Sequence, residues 1–339
     1  MRFSASAFAP ACASPNHCET DPLRLYPDAS GGEAAVTRYR VFPGMELDYR
    51  DVHARACREL RDGSGERLEI HHCLEGRVEY RQNGRYFYLS PGDLAVARTS
   101  SLPPDSRFPT SHYHGITVTI DPAAAPECLS CILSDVEVRP ATLMEKLCPG
   151  RTVFTARSSR RVKHVFSELY AVPEDIRKGY FKVKLLELLL FLSTLSPEDG
   201  QTPHGCTAAQ VTLAEQVKAC LLAESDRTLT LKSLSQQFNV SEAQIKSSFT
   251  GVYGMSPASY ARSQRMHGAA ALLRETDRTV LDIACQFGYD NASKFARAFR
   301  DVIGVSPREY RAGAEYDSCA PQLGEKPVSL SDADVERRI

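Results

Sequence analysis

Side chains that are able to hold a metal ion occur at two places in the first third of the chain. His71 and His72 are adjacent, and Glu75 follows three residues later. Adjacent side chains of a strand point to opposite faces, so these two imidazoles would not meet on one ion. His112 and His114 lie two residues apart and would share a face if extended, an arrangement we interpret as an ordinary strand-edge pair.

Cysteine chemistry is the second possibility. Cys128 and Cys131 form a C-x-x-C pattern, and Cys148 follows. One C-x-x-C is an incomplete zinc site and an incomplete redox motif. The 11 cysteines are an odd number and scattered, which favours packing thiols in a reducing cytoplasm; a thiol or metal sensor stays open as an alternative.

Length and composition set the frame for these residues. A chain of 339 residues is long enough for about two domains. With 42% apolar and 24% charged residues, it is typical of a globular protein, and its net charge of −1 gives no nucleic-acid signal. The most apolar stretch, residues 185–195, contains Glu187 and is shorter than the ~20 residues of a membrane helix. The N-terminus lacks the apolar run of a secretory signal.

Short apolar runs broken by turn residues predict a β domain in the first half. Predicted strands cover residues 67–70, 77–81, 86–89 and 116–120. Asn83-Gly84 lies between the second and third and predicts a tight hairpin.

A helical period begins near Ser159. A first helix carries a stripe of Val162, Val165, Phe166 and Leu169, and a second helix extends over about 174–195. This second helix is apolar nearly all round over 185–192, so it must be buried on more than one side. We expect part of it to pack on the β domain and the rest on the same helix of a second subunit.

Residues 211–311 contain an internal repeat. Phe249-(x)4-Gly254-Met255-Ser256-Pro257-(x)2-Tyr260 recurs fifty residues later as Phe299-(x)4-Gly304-Val305-Ser306-Pro307-(x)2-Tyr310. Upstream, residues 234–240 match residues 283–289. Each copy predicts a short helix, a turn at Asn239 or Gly288, and a second helix that starts at Ser241 or Asp290. This is the helix-turn-helix pattern.

These residues closely resemble the AraC/XylS family of bacterial transcription regulators. The most specific part is Ile283-Ala284-Cys285-Gln286-Phe287-Gly288-Tyr289-Asp290, followed by Phe295-Ala296-Arg297-Ala298-Phe299 and the Gly304–Arg311 segment. The resemblance implies two helix-turn-helix units joined by a long helix and fused to an N-terminal effector or dimerisation domain. It also implies double-stranded promoter DNA as a partner, with RNA polymerase as a further one.

Charge and length agree with this resemblance. Residues 211–311 carry thirteen Lys and Arg and ten Asp and Glu, a net charge of +3, which leaves −4 for the remainder. The joining helix, about 257–276, has about 20 residues and spans roughly 30 Å. One DNA turn is about 34 Å, so two recognition helices are expected to enter successive major-groove segments.

The side chains that would contact DNA lie opposite the apolar face of each recognition helix. The core face carries Ile245, Phe249 and Val252 in the first helix and Phe295, Ala298, Phe299 and Val302 in the second. The candidate DNA contacts are Ala243, Lys246, Ser247, Asn291, Ala292, Ser293, Arg297 and Arg300. Arg297 is the leading candidate because Arg pairs bidentately with guanine; a phosphate clamp or a surface salt bridge is the alternative.

The hairpin-rich first domain resembles the cupin-like barrels more weakly. Metal-binding cupins place His-x-His and a Glu before a hairpin, and a further His shortly after Pro-x-Gly. Here the two His are adjacent, and the next His after Gly92 is His112. A cupin-type metalloprotein or metalloenzyme fused to a DNA-binding module is therefore the alternative hypothesis. The leading hypothesis is a regulator without a catalytic residue, metal ligand or cofactor. It would bind a small effector in the mouth of the barrel. The candidate effector-binding residues are His71, Glu75, Tyr80, Tyr86, Tyr88 and His112.

The sequence thus predicts an α+β multidomain protein with an N-terminal cupin-like β-barrel, linker helices and a C-terminal all-α domain of two helix-turn-helix units. The expected boundaries are a flexible leader at 1–37, a sensing domain at 38–150, a helical dimerisation segment at 155–200, a DNA-binding domain at 207–312 and a disordered tail at 313–339. We expect a homodimeric, non-enzymatic regulator in the cytoplasm, without membrane contact.

Overall fold

A computed structural model describes residues 20–23, 25–27, 31–59, 65–103, 105–126, 138–150, 152–200, 205–223 and 230–312. Cys128, Cys131 and the predicted tail at 313–339 lie outside these residues. The described residues fall into two compact units, one of residues 258–312 and one of the described residues up to 257.

Twelve strands make up the β part of the described chain. They are β1 (Thr20–Leu23), β2 (Leu25–Pro27), β3 (Gly32–Phe42), β4 (Met45–Ala54), β5 (Ala56–Glu59), β6 (Leu68–Gly76), β7 (Val78–Gln82), β8 (Arg85–Leu89), β9 (Asp93–Arg98), β10 (Asp105–Arg107), β11 (Tyr113–Ile120) and β12 (Phe154–Arg157). The four predicted strands correspond to β6, β7, β8 and β11. The predicted hairpin is confirmed: β7 pairs with β8, and Asn83 and Gly84 have φ of 51° and 72°.

The strands form three antiparallel sheets rather than a closed barrel. The largest has seven strands in the order β1-β3-β4-β11-β6-β9-β12, so β1 and β12 are its edges. A second sheet has the order β10-β5-β2, and β7 pairs with β8 alone. No closed barrel is found within the described ranges. The coarser expectation, a β-rich N-terminal part, is confirmed.

The boundary predicted for the leader was too late. β3 begins at Gly32 and pairs with β4 from Gly32 opposite Ala54 onward. β1 pairs with β3, and β2 pairs with β5. Residues 20–37 lack a strong apolar alternation, so the local pattern does not mark these strands, and pairing with distant strands accompanies them instead.

Ten α-helices follow or interrupt these strands in the described chain. They are α1 (Pro140–Leu147), α2 (Arg160–Leu169), α3 (Arg177–Ser193), α4 (Ala208–Ala223), α5 (Leu231–Phe238), α6 (Glu242–Tyr253), α7 (Pro257–Glu275), α8 (Val280–Gln286), α9 (Ala292–Ile303) and α10 (Pro307–Arg311). None of them is long and apolar enough to cross a membrane.

Helices α1, α2 and α3 cover one face of the seven-stranded sheet. The buried stripe of α2 joins Phe181, Leu185, Leu188, Leu189 and Leu192 of α3 in one apolar core with the sheet residues. The other face of the sheet packs on β5, β7 and β8 through a second core that includes Val52, Tyr80 and Tyr113. The large sheet therefore lies between two apolar layers.

His72 is a polar ring inside the first of these cores. It stacks on Phe166 of α2 with the ring centroids 4.1 Å apart and the planes 9° apart. The side chain is buried, and neither ring nitrogen has a hydrogen-bond partner among the described residues. Burial, together with the charge of Lys163, lowers the pKa of His72 from 6.5 to about 4.

This shift predicts an acid-sensitive fold. The folded pKa lies below the unfolded value, so the unfolded chain binds the extra proton as the pH falls below 6.5, and stability is lost towards pH 4. We expect this site to cost about 2 kcal/mol of unfolding free energy between pH 7.5 and pH 5. Denaturant titrations should show that His72→Phe removes this loss and that His164→Phe, at an exposed position of α2, retains it. Equal pH dependence in all three proteins would contradict the assignment.

Candidate nucleic-acid interface

Helices α5 and α6 are joined by a tight turn whose geometry follows from its residues. α5 ends at Asn239, which has the left-handed φ of 52° that Asn tolerates. α6 begins at Ser241, whose Oγ accepts a hydrogen bond from the backbone N of Gln244 at 3.2 Å. It ends at Gly254 with φ of 77°. Ile245, Phe249 and Val252 are buried, as predicted.

Helices α8 and α9 repeat this design with one difference. The turn contains Gly288 with φ of 79°, and α9 ends at Gly304 with φ of 91°. The predicted start of α9 at Asp290 is wrong, because Asn291 is the N-cap: its Oδ1 accepts from the backbone N of Ser293 at 2.7 Å and of Lys294 at 3.3 Å. A capping residue uses its side chain within the helix, so the role of Asn291 is to fix the start of α9.

A compact aromatic core holds α9 in place. The Phe299 ring lies between Phe295 and Tyr310, with centroid distances of 5.7 and 5.6 Å. Phe295 and Phe299 are fully buried, whereas Ala298 and Val302 are partly buried against the same cluster. Gly268 lies in α7, the predicted joining helix, and a Cβ at this position would lie 3.1 Å from the ring of Phe287. The close approach of this ring explains the glycine.

The candidate DNA contacts occupy the exposed faces that remain. On α6, Ala243, Lys246 and Ser247 are exposed, and on α9 so are Ala292, Ser293, Arg297 and Arg300. Ser247 bonds the carbonyl of Gln244 at 3.1 Å. Within the described chain, Lys246 and Arg297 make no hydrogen bond or ion pair, so both groups are available to a ligand.

Two further polar residues on these helices are candidates for contact with DNA. Lys294 lies 3.6 Å from Asp290, but both side chains are largely exposed, at 70% and 84%. Such a surface ion pair contributes little to stability, so it would not prevent Lys294 from contacting a phosphate of DNA. Gln244 is a further candidate that the sequence analysis did not name, and its side chain is exposed on α6. Gln is suited to adenine, and its position about one turn before Ser247 on α6 is the sequence signal that points to it.

The candidate effector residues divide between two faces of the large sheet. His71 and Tyr80 line a cavity together with Arg50, Glu69 and Glu79. His71 Nε2 lies 3.1 Å from Glu69 Oε2, and its Nδ1 lies 3.1 Å from Thr117 Oγ1. The cavity encloses about 20 Å³, room for roughly one water molecule. An organic effector would therefore require the lining to move apart.

The other four candidate residues do not line this cavity. Tyr88 approaches it indirectly, since its hydroxyl donates to Glu79 Oε2 at 3.1 Å. Tyr86 lies under the guanidinium of Arg81 and pairs through its backbone with Cys206. Glu75 and His112 contact each other at 3.2 Å, on the opposite face of the sheet. Strict alternation along β6 would place His71 and Glu75 on the same face. The pairing of β6 with β11 shifts by one residue between His114 and Gly115, so Glu75 lies on the other face.

Of the three candidate cysteines, Cys148 lies in the described part of the chain, and it is a packing residue. Cys148 is fully buried, and its thiol donates to the carbonyl of Val96 at 3.1 Å. Burial raises the pKa of Cys148 to about 11. A thiol with that pKa is unreactive near neutral pH.

Comparison with known proteins identifies a helix-turn-helix domain near the C-terminal end of the described residues. A family profile described as a helix-turn-helix domain matches residues 234–313. An uncharacterised HTH-type transcriptional regulator of Escherichia coli, YdiP, is 35% identical over 107 residues, which are 30% of this chain and 35% of that protein. A putative AraC-like transcription regulator of Streptomyces lividans is 29% identical over 130 residues, 37% of this chain and 43% of that protein. The transcriptional regulator Rob of Salmonella typhimurium is 31% identical over 93 residues, 27% of this chain and 32% of that protein.

These similarities concern one part of the molecule. The chain spans about a third to two fifths of the length of the curated relatives that it matches. The matched segment contains the whole of α6 to α10, with the caps and aromatic core described above. Residues 234–313 of this chain therefore match a helix-turn-helix domain, and the chain is similar to a putative AraC-like transcription regulator.

Proposed function

We propose that this protein is a sequence-specific DNA-binding regulator of transcription, with two helix-turn-helix units formed by α5–α6 and α8–α9. In each unit the second helix, α6 or α9, would enter the major groove. One observation carries the proposal. The two helix pairs have the same left-handed turn, side-chain N-cap and glycine C-cap, and each second helix has an exposed face of small and basic residues opposite buried phenylalanines.

The N-terminal part would provide the sensing function. The buried polar groups of Arg50, Glu69, His71 and Glu79 converge on one cavity, a typical feature of small-molecule sites. A cupin-type metalloenzyme is less well supported, because His71 is the single histidine that lines this cavity among the described residues. We therefore favour a small effector, a non-enzymatic role and a cytoplasmic location; the chain's relatives are named as regulators.

A contact within the larger unit offers a route from sensing to DNA binding. Arg77, between β6 and β7, donates from Nη2 to the carbonyl of Gly251 at 3.1 Å, near the end of α6. A Cβ at Gly254 would collide with the Arg77 guanidinium. The sheet residues next to the cavity and the first recognition helix are thus held together, so a change around β7 would reach α6 directly.

Assembly as a homodimer is part of the proposal. On α3, Val183 is 61% exposed, and Leu186 and Leu190 are half-buried beside the core leucines. A second copy that covered this face would bury it and would raise DNA affinity through a high effective concentration. RNA polymerase is the partner through which a bound regulator of this kind would act.

DNA binding by the full-length protein tests the proposal. If Lys246, Lys294 and Arg300 contact phosphates, the logarithm of the affinity should fall with the logarithm of the salt concentration with a slope of about −2.7 for each bound subunit, or roughly 40-fold per subunit between 50 and 200 mM salt. Fluorescence anisotropy on DNA selected from a random pool would measure this slope. Lys246→Ala should flatten the slope by about one per subunit, whereas Lys178→Ala, at an exposed position of α3, should not. A folded protein that fails to bind DNA at 50 mM salt would overturn the proposal.

A further inference from the structure

Three imidazoles and two carboxylates converge on one face of the seven-stranded sheet, away from the cavity. Asp51 and His53 come from β4, His114 from β11, His112 from the position just before β11, and Glu75 from β6. In the sheet register His114 lies opposite Asp51 on one side and opposite Glu75 on the other. Residues two apart on a strand share a face, so pairing of three strands brings all five side chains together. Neighbours in sequence, Arg50 and Tyr113, line the cavity on the other face.

The spacing of the imidazole nitrogens suits one metal ion. His53 Nδ1 and His112 Nδ1 face each other at 3.4 Å. One ligand atom from each of His53, His112 and His114 lies within 4.8 Å of the others. A tetrahedral ion with Zn–N bonds of about 2.0–2.1 Å separates its ligand nitrogens by about 3.3–3.4 Å. The observed pair already has this separation, and a small movement of the third ring would complete the set.

The carboxylates lie where the outer shell of such a site is expected. Asp51 Oδ1 is 2.9 Å from His53 Nε2 and 2.8 Å from His114 Nε2. Glu75 Oε2 is 3.2 Å from His112 Nε2. Metal-binding histidines commonly donate their second ring N–H to a carboxylate, which fixes the tautomer. With Nε2–H of His53 and His112 donated in this way, the Nδ1 lone pairs of both rings point at each other and need a proton or a cation between them.

Charge and access favour a cation. Asp51 and Glu75 are acidic side chains whose oxygens lie within 3.2 Å of the rings, so they can balance the charge of a bound dication. The His53 side chain is 48% exposed, whereas His112 and His114 are 19% and 16% exposed. An ion could therefore enter from solvent on the His53 side and keep a water as its fourth ligand.

We propose that His53, His112 and His114 bind one first-row transition-metal dication of the Zn²⁺ class, with Asp51 and Glu75 as outer-shell acceptors. Imidazole nitrogen suits Zn²⁺, Cu²⁺ and Ni²⁺, whereas Mg²⁺ and Ca²⁺ prefer oxygen ligands. The site is independent of the proposed DNA-binding function, and it differs from a cupin centre because it lies outside the cavity.

Metal titration of the chelator-treated full-length protein tests this site. Zn²⁺ would be added in competition with a chromophoric chelator, for the wild type and for the double variant His112→Ala/His114→Ala. We expect the double variant to lose one bound equivalent, or at least 100-fold in affinity for it. His164→Ala removes an exposed histidine of α2 and should bind as the wild type does. Asp51→Asn should weaken binding about 10- to 100-fold, since it removes an outer-shell acceptor.

Two further measurements separate this site from other zinc ligands and from misfolding. Cysteine thiolates also bind zinc, so the titration is repeated with Co²⁺, whose thiolate complexes have a near-ultraviolet charge-transfer band; the histidine site should bind without that band. If the double variant is unfolded by circular dichroism, His53→Gln replaces it, because His53 is the most exposed of the three. Unchanged zinc affinity in the folded histidine variants, an equal loss in His164→Ala, or binding by thiolates alone would overturn the proposal.

Discussion

The Arg297→Ala variant is expected to bind a preferred DNA site about 5- to 150-fold more weakly than the wild type, a loss of about 1–3 kcal/mol. Arg297 is exposed on α9, on the side opposite the buried Phe295 and Phe299. It makes no hydrogen bond or ion pair in the described part of the chain, so nothing within the protein competes for its guanidinium. The rigid arginine fork matches both acceptors of a guanine edge in a fixed geometry, whereas lysine presents a flexible point charge.

The variants at this position separate base reading from charge. Arg297→Ala should relax the preference at one base position, which sequencing of DNA selected by each variant would detect. Arg297→Lys keeps the charge without the fork, so it should recover part of the affinity and not the preference. Lys294→Ala should weaken all sequences about equally, as a phosphate contact does. If Arg297→Ala retains both affinity and preference, Arg297 does not read a base and the exposed face of α9 has been misassigned.

Features specified by local sequence were predictable. Asn83-Gly84 identified a hairpin because few residues tolerate the positive φ that a two-residue turn requires. The two helix pairs were predictable for a similar reason, since Asn239, Gly254 and Gly304 occupy left-handed positions and the phenylalanines recur at helical spacing. The error at Asp290 is small and has a physical cause: Asp and Asn are both good caps, and sequence alone does not choose between neighbours.

Features that depend on distant pairing were not predictable. Whether the strands close into a barrel depends on which edges meet, and β1 and β12 remain as edges of the large sheet. The pairing of His53 with His112 joins residues 59 positions apart, so the sequence drew attention to His112 and His114 but not to His53. Gly268 had no explanation in the sequence because its neighbour in space, Phe287, follows the end of α8.

The largest effect on stability is expected from Phe299→Ala. The ring is fully buried and contacts both Phe295 and Tyr310, so its removal leaves a cavity between α9 and α10. Large-to-small changes of this kind cost about 3–5 kcal/mol, which is a large share of the about 5–15 kcal/mol that stabilises a typical domain. Because this core belongs to the small unit of residues 258–312, we expect that unit to open first and α9 to lose its helical order.

Hydrogen exchange of the full-length protein would locate the loss. In Phe299→Ala the backbone amides of α9 should exchange about 100-fold faster or more, because each 1.4 kcal/mol lost from the free energy of local opening raises the exchange rate tenfold. The amides of β4 and β11 should keep their wild-type exchange rates. Phe299→Leu refills most of the space and should cost far less. Asp301→Ala, at an exposed position of α9 outside the candidate DNA contacts, controls for substitution in the same helix. DNA affinity should fall in parallel with the protection of α9. If the recognition helix is folded in only a fraction of the molecules, the apparent affinity is the intrinsic affinity multiplied by that fraction. Wild-type protection of α9 in Phe299→Ala would mean that the aromatic cluster does not hold the helix.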